Sequence, residues 1–410
     1  MRFDTIIIGG GLSGLTAGIE LSRKGQKCLI VSSGQSALHF FSGSLELYDC
    51  DDPLKGISVL GQGHPYFKIG YDQLRAYISQ VKPLFKEVGI DFMGENEQNH
   101  WRITPLGALK RAWLTLDEYA SVPSDGTMPW QKVVLLNIDG FLDFHASYIA
   151  AGLSHMGVEC RVDGISMPEL NYVRNNPTEM RATNIAKTLS RDLLGALASR
   201  INEHAEGVDA VLMPAVVGLS GNSEVVKLKE LVNRPLHFLA TLPPSVPGIR
   251  LQMMLKRHFQ KLGGVYMLGD TVVGGEIVNG RLEYIMTKNH GQTRFEADNF
   301  IVSTGSFFSK GLVADISCVR EPIFGLDVEY CDDRSQWYKK NMFDNQPYLS
   351  FGVSTDNSFH AQKDGIPVDN LFVAGSLLSG CNSIKEGSGA GVAVLTALHV
   401  ASLIQSRTDY

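Results

Sequence analysis

The chain lacks the features that mark several protein classes. Its six cysteines, Cys28, Cys50, Cys160, Cys318, Cys331 and Cys381, are scattered through 410 residues without a CxxC pair. Neither an iron–sulfur or zinc ligand set nor a disulfide framework is encoded, no metal site is expected, and a reducing compartment fits. Basic residues are not in excess: 37 Lys and Arg against 43 Asp and Glu give a net charge of −6 with no block of like charge. That excludes the electrostatic footprint of a nucleic-acid binder. Long apolar runs are also missing. The longest, Gly389 to Ile404, falls about four residues short of the ~20 that span a bilayer and is rich in Gly, Ala, Ser and His, so it reads as a buried helix. The N-terminal MRFDTIII passes straight into a glycine turn and is too short for a signal peptide. No internal repeat is visible.

What is present describes a sizeable globular protein. The length exceeds what one core usually supports, so two domains are expected. Glycine is somewhat abundant, at 42 residues, which hints at tight turns and phosphate loops. The N-terminus supplies one. Thr5–Ile8 is a β-branched apolar run, Leu12–Lys24 has helical apolar spacing, and Cys28–Val31 is a second strand-like run: a βαβ unit. Between strand and helix stands GGGLSG. Gly9 permits a sharp turn, Gly10 continues it, Gly11 lets the backbone approach a pyrophosphate, and Gly14 lets the helix pack on the sheet. Leu12 and Ser13 open the helix, whose free N–H groups and positive dipole end would meet the anion.

A dinucleotide fingerprint normally has an acid at the end of the second strand, holding a ribose. Here Ser32 and Ser33 stand there, and a serine cannot offer the bidentate acceptor of a carboxylate. The adenosine ribose is read less firmly, and FMN becomes the expected cofactor, with FAD the alternative. Two later segments point to flavin. IVSTGS ends a strand at Thr304 and Gly305, resembling the strand end of flavoproteins with two dinucleotide folds. NLFVAGS resembles their last strand, which usually ends Gly-Asp; here Gly375 is followed by Ser376. Then Gly387, Ser388, Gly389, Ala390 and Gly391 open an apolar helix able to aim N–H groups at an anionic flavin. Ser42, Gly43 and Ser44 follow the second strand and permit close approach to the flavin, and His39 beside them is a candidate catalytic group. Arg174, Arg181 and Arg250 are candidates for a substrate phosphate.

The remaining chain is read coarsely. Residues 51–130 are broken by six prolines and carry no clear pattern. Strand and helix alternate again from Lys132 through Met213. A helix over Ile249–Leu262, a strand at Val265, a hairpin turning at Asn279 and Gly280, and a strand over Phe300–Thr304 follow. The fold expected is α/β: a Rossmann-like flavin-binding domain of 1–50, 245–310 and 370–410, with an inserted α/β substrate or interaction domain of 51–244 and 311–369.

Taken together, MRFDTIIIGGGLSGL, GQSALHF, TPLG at 104–107, RNNPTEMR at 174–181, TLPPSV, GIRLQ, TGSFFSKGLV, REPIFGLDV and the last strand and helix resemble the B-type subunit of the anaerobic glycerol-3-phosphate dehydrogenases of bacteria. The likeness covers nearly the whole length. It implies a three-part complex: an A-type catalytic partner that carries FAD, a C-type partner that is an iron–sulfur membrane anchor, and a B-type partner that carries FMN. It also implies oxidation of sn-glycerol 3-phosphate to dihydroxyacetone phosphate with electrons passed to the quinone pool, and a peripheral position on the cytoplasmic side of the inner membrane. Two other readings stay open: a docking subunit that kept the fold without the cofactor, and a flavin enzyme of RNA modification, which the acidic charge disfavours.

Overall fold

The computed structural model describes residues 1–408. They form two compact units: one of 1–37, 46–81 and 255–408, the other of Leu38–Leu45 and Lys82–Met254.

The first unit is built on a twisted sheet. Strand β1 (Arg2–Ile8) leads into helix α1 (Leu12–Arg23) and strand β2 (Cys28–Ser32). Ile6, Ile7, Leu29 and Ile30 are fully buried, as a parallel strand covered on both faces requires. Strands β3 (Val265–Leu268), β4 (Val272–Val278), β5 (Arg281–Thr287), β6 (Phe295–Val302), β7 (His360–Lys363) and β8 (Ile366–Val373) complete it. The parallel strands lie in the order β3-β2-β1-β6-β8. Chain order therefore reverses between β1 and β6, which puts the ligand crevice of such a sheet outside the carboxyl ends of those strands. The β4–β5 hairpin turns at Asn279 and Gly280, both at positive φ, as an Asn-Gly turn demands.

Helix α2 (Gly389–Thr408) packs beside α1, where Gln405 Nε2 donates to Glu20 O at 3.3 Å. It runs further than the apolar stretch of the sequence suggested, and Gly389–Arg407 is long and apolar enough to cross a membrane. In this fold Val394, Leu395, Val400, Ala401 and Ile404 of that helix are fully buried within the unit.

The second unit carries a parallel four-stranded sheet in the order Glu159–Ile165, Lys132–Ile138, Ala210–Pro214, Leu236–Leu239. The stretch left unread in the sequence contains a 17-residue helix, Tyr71–Glu87, with Pro83 inside it.

The division of the chain differs from the expected one at four segments. Residues 51–81 and 311–369 belong with the glycine turn, because polar ties hold them there: Lys68 Nζ donates to Thr355 O and Oγ1, both at 2.9 Å, Tyr77 pairs with His399, and β7 pairs with β8. Conversely, Leu38–Leu45 and residues 245–254 belong to the second unit, where Ser44 and Leu45 pair with Leu114–Leu116 and Arg250 pairs with Glu118.

Candidate flavin site

The first glycine turn is dictated by close packing. Gly9 stands at φ +119°, and a Cβ there would lie 2.3 Å from Ser303 O. A Cβ on Gly14 would lie 1.9 Å from Gly9 O, and one on Gly10 only 2.0 Å from the Tyr266 hydroxyl. Gly11 differs: its Cβ would meet only Ser36 Cβ at 3.6 Å, so the space beside it is open. Gly11 is also the N-cap of α1, and among the described residues no side chain caps it. The first-turn N–H groups of α1 are thus left to an outside acceptor.

The later strand ends close around this turn. Ser303 Oγ donates to Ile8 O and Gly9 O, each at 3.2 Å. A Cβ on Gly375 would lie 2.2 Å from Ser13 Oγ, and Gly375 N donates to Thr396 Oγ1 of α2 at 2.9 Å. A Cβ on Gly305 would lie 3.6 Å from Ser376 Oγ. The fold therefore brings together Gly9, Gly10, Gly11, Gly14 and Ser13 with Gly305, Gly375 and Ser376. Beside Gly305, Thr304 Oγ1 is buried without a hydrogen-bond partner among the described residues, a position that calls for a ligand atom.

The two serines that replace carboxylates behave differently. Ser32 is buried; its Oγ donates to Gly34 O at 3.1 Å, and Tyr266 OH donates to Gly10 O at 3.2 Å next to it. Ser33 and Ser376 are exposed. Tyr266, on the strand next to β2, carried no signal in the sequence.

The second glycine turn precedes α2. Gly387 is left-handed (φ 56°, ψ 48°) and a Cβ there would lie 2.9 Å from Asp49 Cβ. Gly391 N donates to Glu46 O at 2.8 Å, and its missing Cβ leaves room for the Tyr66 hydroxyl, 2.2 Å from where that carbon would be. Gly389 and Ala390 are half-buried, and Ser388 is fully buried. Beside this turn a polar cleft of about 330 Å3 is lined by Tyr48, Asp49, Asn345, Ser350, Asn382, Lys385 and Glu386. Glu386 and His64, which organise the turn, were missed in the sequence although Glu386 directly precedes Gly387.

Other candidates fall in the second unit. Ser42, Gly43 and Ser44 form a fixed loop: Gly43, at φ +87°, lies under the Tyr119 ring, and Ser44 Oγ bonds Thr115 Oγ1 at 2.8 Å, which in turn bonds His100 at 2.7 Å. His39 is half-buried, and that burial lowers its proton affinity. The arginines proposed as phosphate ligands are engaged elsewhere. Arg250 is buried and paired with buried Glu118, and also donates to Gly218 O at 3.2 Å. Arg181 holds both oxygens of Asp143, at 2.9 and 2.8 Å. Arg174 donates to Asp139 O and Asn171 Oδ1. A buried cation already neutralised by a carboxylate is a structural pair, so Arg250 is corrected from a phosphate ligand to a lock within its unit. Burial pushes the Glu118 carboxyl up while Arg250 pulls it down.

An uncapped helix start, an open face at Gly11 and an orphaned threonine hydroxyl fit a phosphate-bearing flavin. The comparisons with known proteins agree. A family model described as an FAD binding domain matches residues 4–392. The B-type subunit of the anaerobic glycerol-3-phosphate dehydrogenase of Yersinia enterocolitica is 41% identical over 100% of this chain and 99% of its own length. The chain belongs to that family. The same protein of Pectobacterium atrosepticum is 38% identical over 98% of this chain and 99% of its own, and that of Actinobacillus succinogenes 36% over all of both. Among solved structures, 3-ketosteroid delta1-dehydrogenase of Sterolibacterium denitrificans is similar at 10% identity, covering 99% of this chain and 100% of its own, with a TM-score of 0.47. Members of the family are α/β proteins with a Rossmann-type flavin-binding fold, and the chain is a flavin-dependent oxidoreductase by that membership.

Proposed function

We propose that the chain is the flavin-carrying B-type subunit of a quinone-linked anaerobic glycerol-3-phosphate dehydrogenase. In this reading the complex oxidises sn-glycerol 3-phosphate to dihydroxyacetone phosphate, and this chain relays the electrons toward the quinone pool. The observation that carries the proposal is the full-length likeness to the B-type relatives in a chain whose α1 turn is uncapped and open at Gly11. Bound there, a flavin supplies the two-electron acceptor that oxidation of a secondary alcohol needs.

The N–H groups of Gly11, Leu12, Ser13 and Gly14 would hold the flavin phosphate, helped by the positive end of α1. Thr304 would give its hydroxyl, Gly305 and Gly375 allow backbone approach, and the α2 turn would face the electron-rich end of the ring. No general base is assigned. With Arg181 and Arg250 held in ion pairs on this chain and Arg174 donating to Asp139 O and Asn171 Oδ1, our reading assigns the substrate phosphate to the A-type catalytic partner. Membrane attachment is placed on the iron–sulfur anchor partner, at the cytoplasmic face.

The family description favours FAD over the FMN expected from the sequence. FMN remains a second reading on one observation: Ser32 is bonded back to Gly34, and Tyr266 sits against Gly10, where a ribose-binding carboxylate would stand. The test is to purify the chain, release the flavin by denaturation and weigh it, then mix the holo chain with the A-type catalytic partner and glycerol 3-phosphate. A flavin that bleaches only with that partner present is the expected result. A chain that stays colourless after reconstitution with either flavin contradicts the proposal and favours a docking subunit without cofactor.

A further inference from the structure

The α2 turn is held by a carboxylate and an imidazole 322 residues apart. His64 is the N-cap of the helix Pro65–Ile69, and Tyr66 N–H donates to its Nδ1 at 3.0 Å. A ring nitrogen that accepts carries no proton, so the ring proton sits on Nε2. Nε2 donates to Glu386 Oε2 at 3.1 Å, with the imidazole almost fully buried and the carboxylate largely so. Glu386 takes two further hydrogen bonds, from Asn382 N to Oε1 at 2.9 Å and from Ser388 Oγ to Oε2 at 3.0 Å. Burial works against this carboxylate, but the bonds from His64, Asn382 and Ser388 outweigh it and hold the carboxyl below its ordinary value.

The backbone follows these side chains. Glu386 O accepts from Asp49 N at 2.7 Å, and Tyr66 OH donates to Leu47 O at 3.0 Å. With Gly387 pressed against Asp49 and Gly391 against Tyr66, the path of 386–391 is fixed on both sides. One edge of Glu386 lines the polar cleft, so its charge lies at the border of solvent-accessible space.

We propose that Glu386 and His64 are positioning residues for the flavin, fixing the N-terminal turn of α2 and placing one negative charge beside it. The inference rests on the reading that this turn receives the flavin. The fixed turn raises flavin affinity, and the charge opposes electron uptake by anything bound there.

The test uses flavin-free full-length protein as wild type, Glu386→Gln, Glu386→Asp and His64→Gln. Flavin affinity is read by fluorescence titration, midpoint potential by equilibration with a redox dye, and stability by thermal melting of the flavin-free forms. Glu386→Gln is expected to stay folded but melt slightly below wild type, because the charged carboxylate is the form the fold favours, to bind flavin about tenfold more weakly, as loss of a charged hydrogen-bond acceptor implies, and to show a more positive midpoint potential. Glu386→Asp should keep the wild-type potential. His64→Gln should weaken binding and leave the potential unchanged. Wild-type affinity and potential in Glu386→Gln overturn the inference, as does a lowered melting temperature with no change in potential. A wild-type chain that binds neither FMN nor FAD contradicts the proposed function itself and so is distinguishable from failure of the inference alone.

Discussion

The two glycine-rich helix starts do similar jobs by different means. The α1 turn is shaped by absence: Gly9, Gly10 and Gly14 leave no room for a Cβ against Ser303, Tyr266 and the turn's own carbonyl, and no side chain among the described residues caps the helix. The α2 turn is shaped by side chains, with Glu386 gathering His64, Asn382 and Ser388. The first is neutral and exposes helix N–H groups; the second has a carboxylate beside its helix start. An anionic phosphate is better suited to the first, and the ring of a flavin to the second, where a charge tunes electron affinity without having to bind an anion.

Substitutions separate the two. Gly9→Ala should have the largest effect: positive φ and the close approach of Ser303 O cost about 3 kcal/mol together, read by urea unfolding. Gly11→Val should leave stability nearly unchanged, because only Ser36 is near, yet weaken flavin binding by about tenfold or more, read by fluorescence titration. If Gly11→Val instead unfolds the chain, the turn is structural and the contrast fails. Acid should act on the second turn only. The folded carboxyl of Glu386 lies below its ordinary 4.5, so its contribution is complete above that pH and is lost as pH falls through the depressed value. Flavin affinity followed below pH 4.5 should decline in wild type, and less so in Glu386→Gln. Tyr266→Phe should have the smallest effect, about 1 kcal/mol for one hydroxyl bond to Gly10 O, read by thermal melting.

The same contrast explains what the sequence made legible. The α1 turn is local: strand, glycines and helix are contiguous, and Gly9, Gly10 and Gly14 answer steric needs within a few residues or against a neighbouring strand. The strand ends at Thr304 and Gly375 were readable for the same reason, as was the Asn279–Gly280 hairpin. The α2 turn depends on His64, far away in a proline-broken stretch with no periodic signal. Arg250 misled because the helix read over Ile249–Leu262 carried no sign of its partner, whereas in the helix Val246–Lys261 it buries its guanidinium on Glu118, 132 residues away in sequence. The domain limits failed at 51–81 and 311–369, segments tied to each other by side-chain bonds such as Lys68 to Thr355, which no periodicity encodes.

The central claim is that the open α1 turn holds a flavin phosphate. Its most direct test is the flavin content of purified wild-type and Gly11→Val chains, released by denaturation and weighed by mass spectrometry, with melting of both flavin-free forms as control. The account predicts one flavin per wild-type chain and little or none in a Gly11→Val chain that melts at the same temperature. Equal flavin in both chains, or none in wild type after reconstitution, would contradict it.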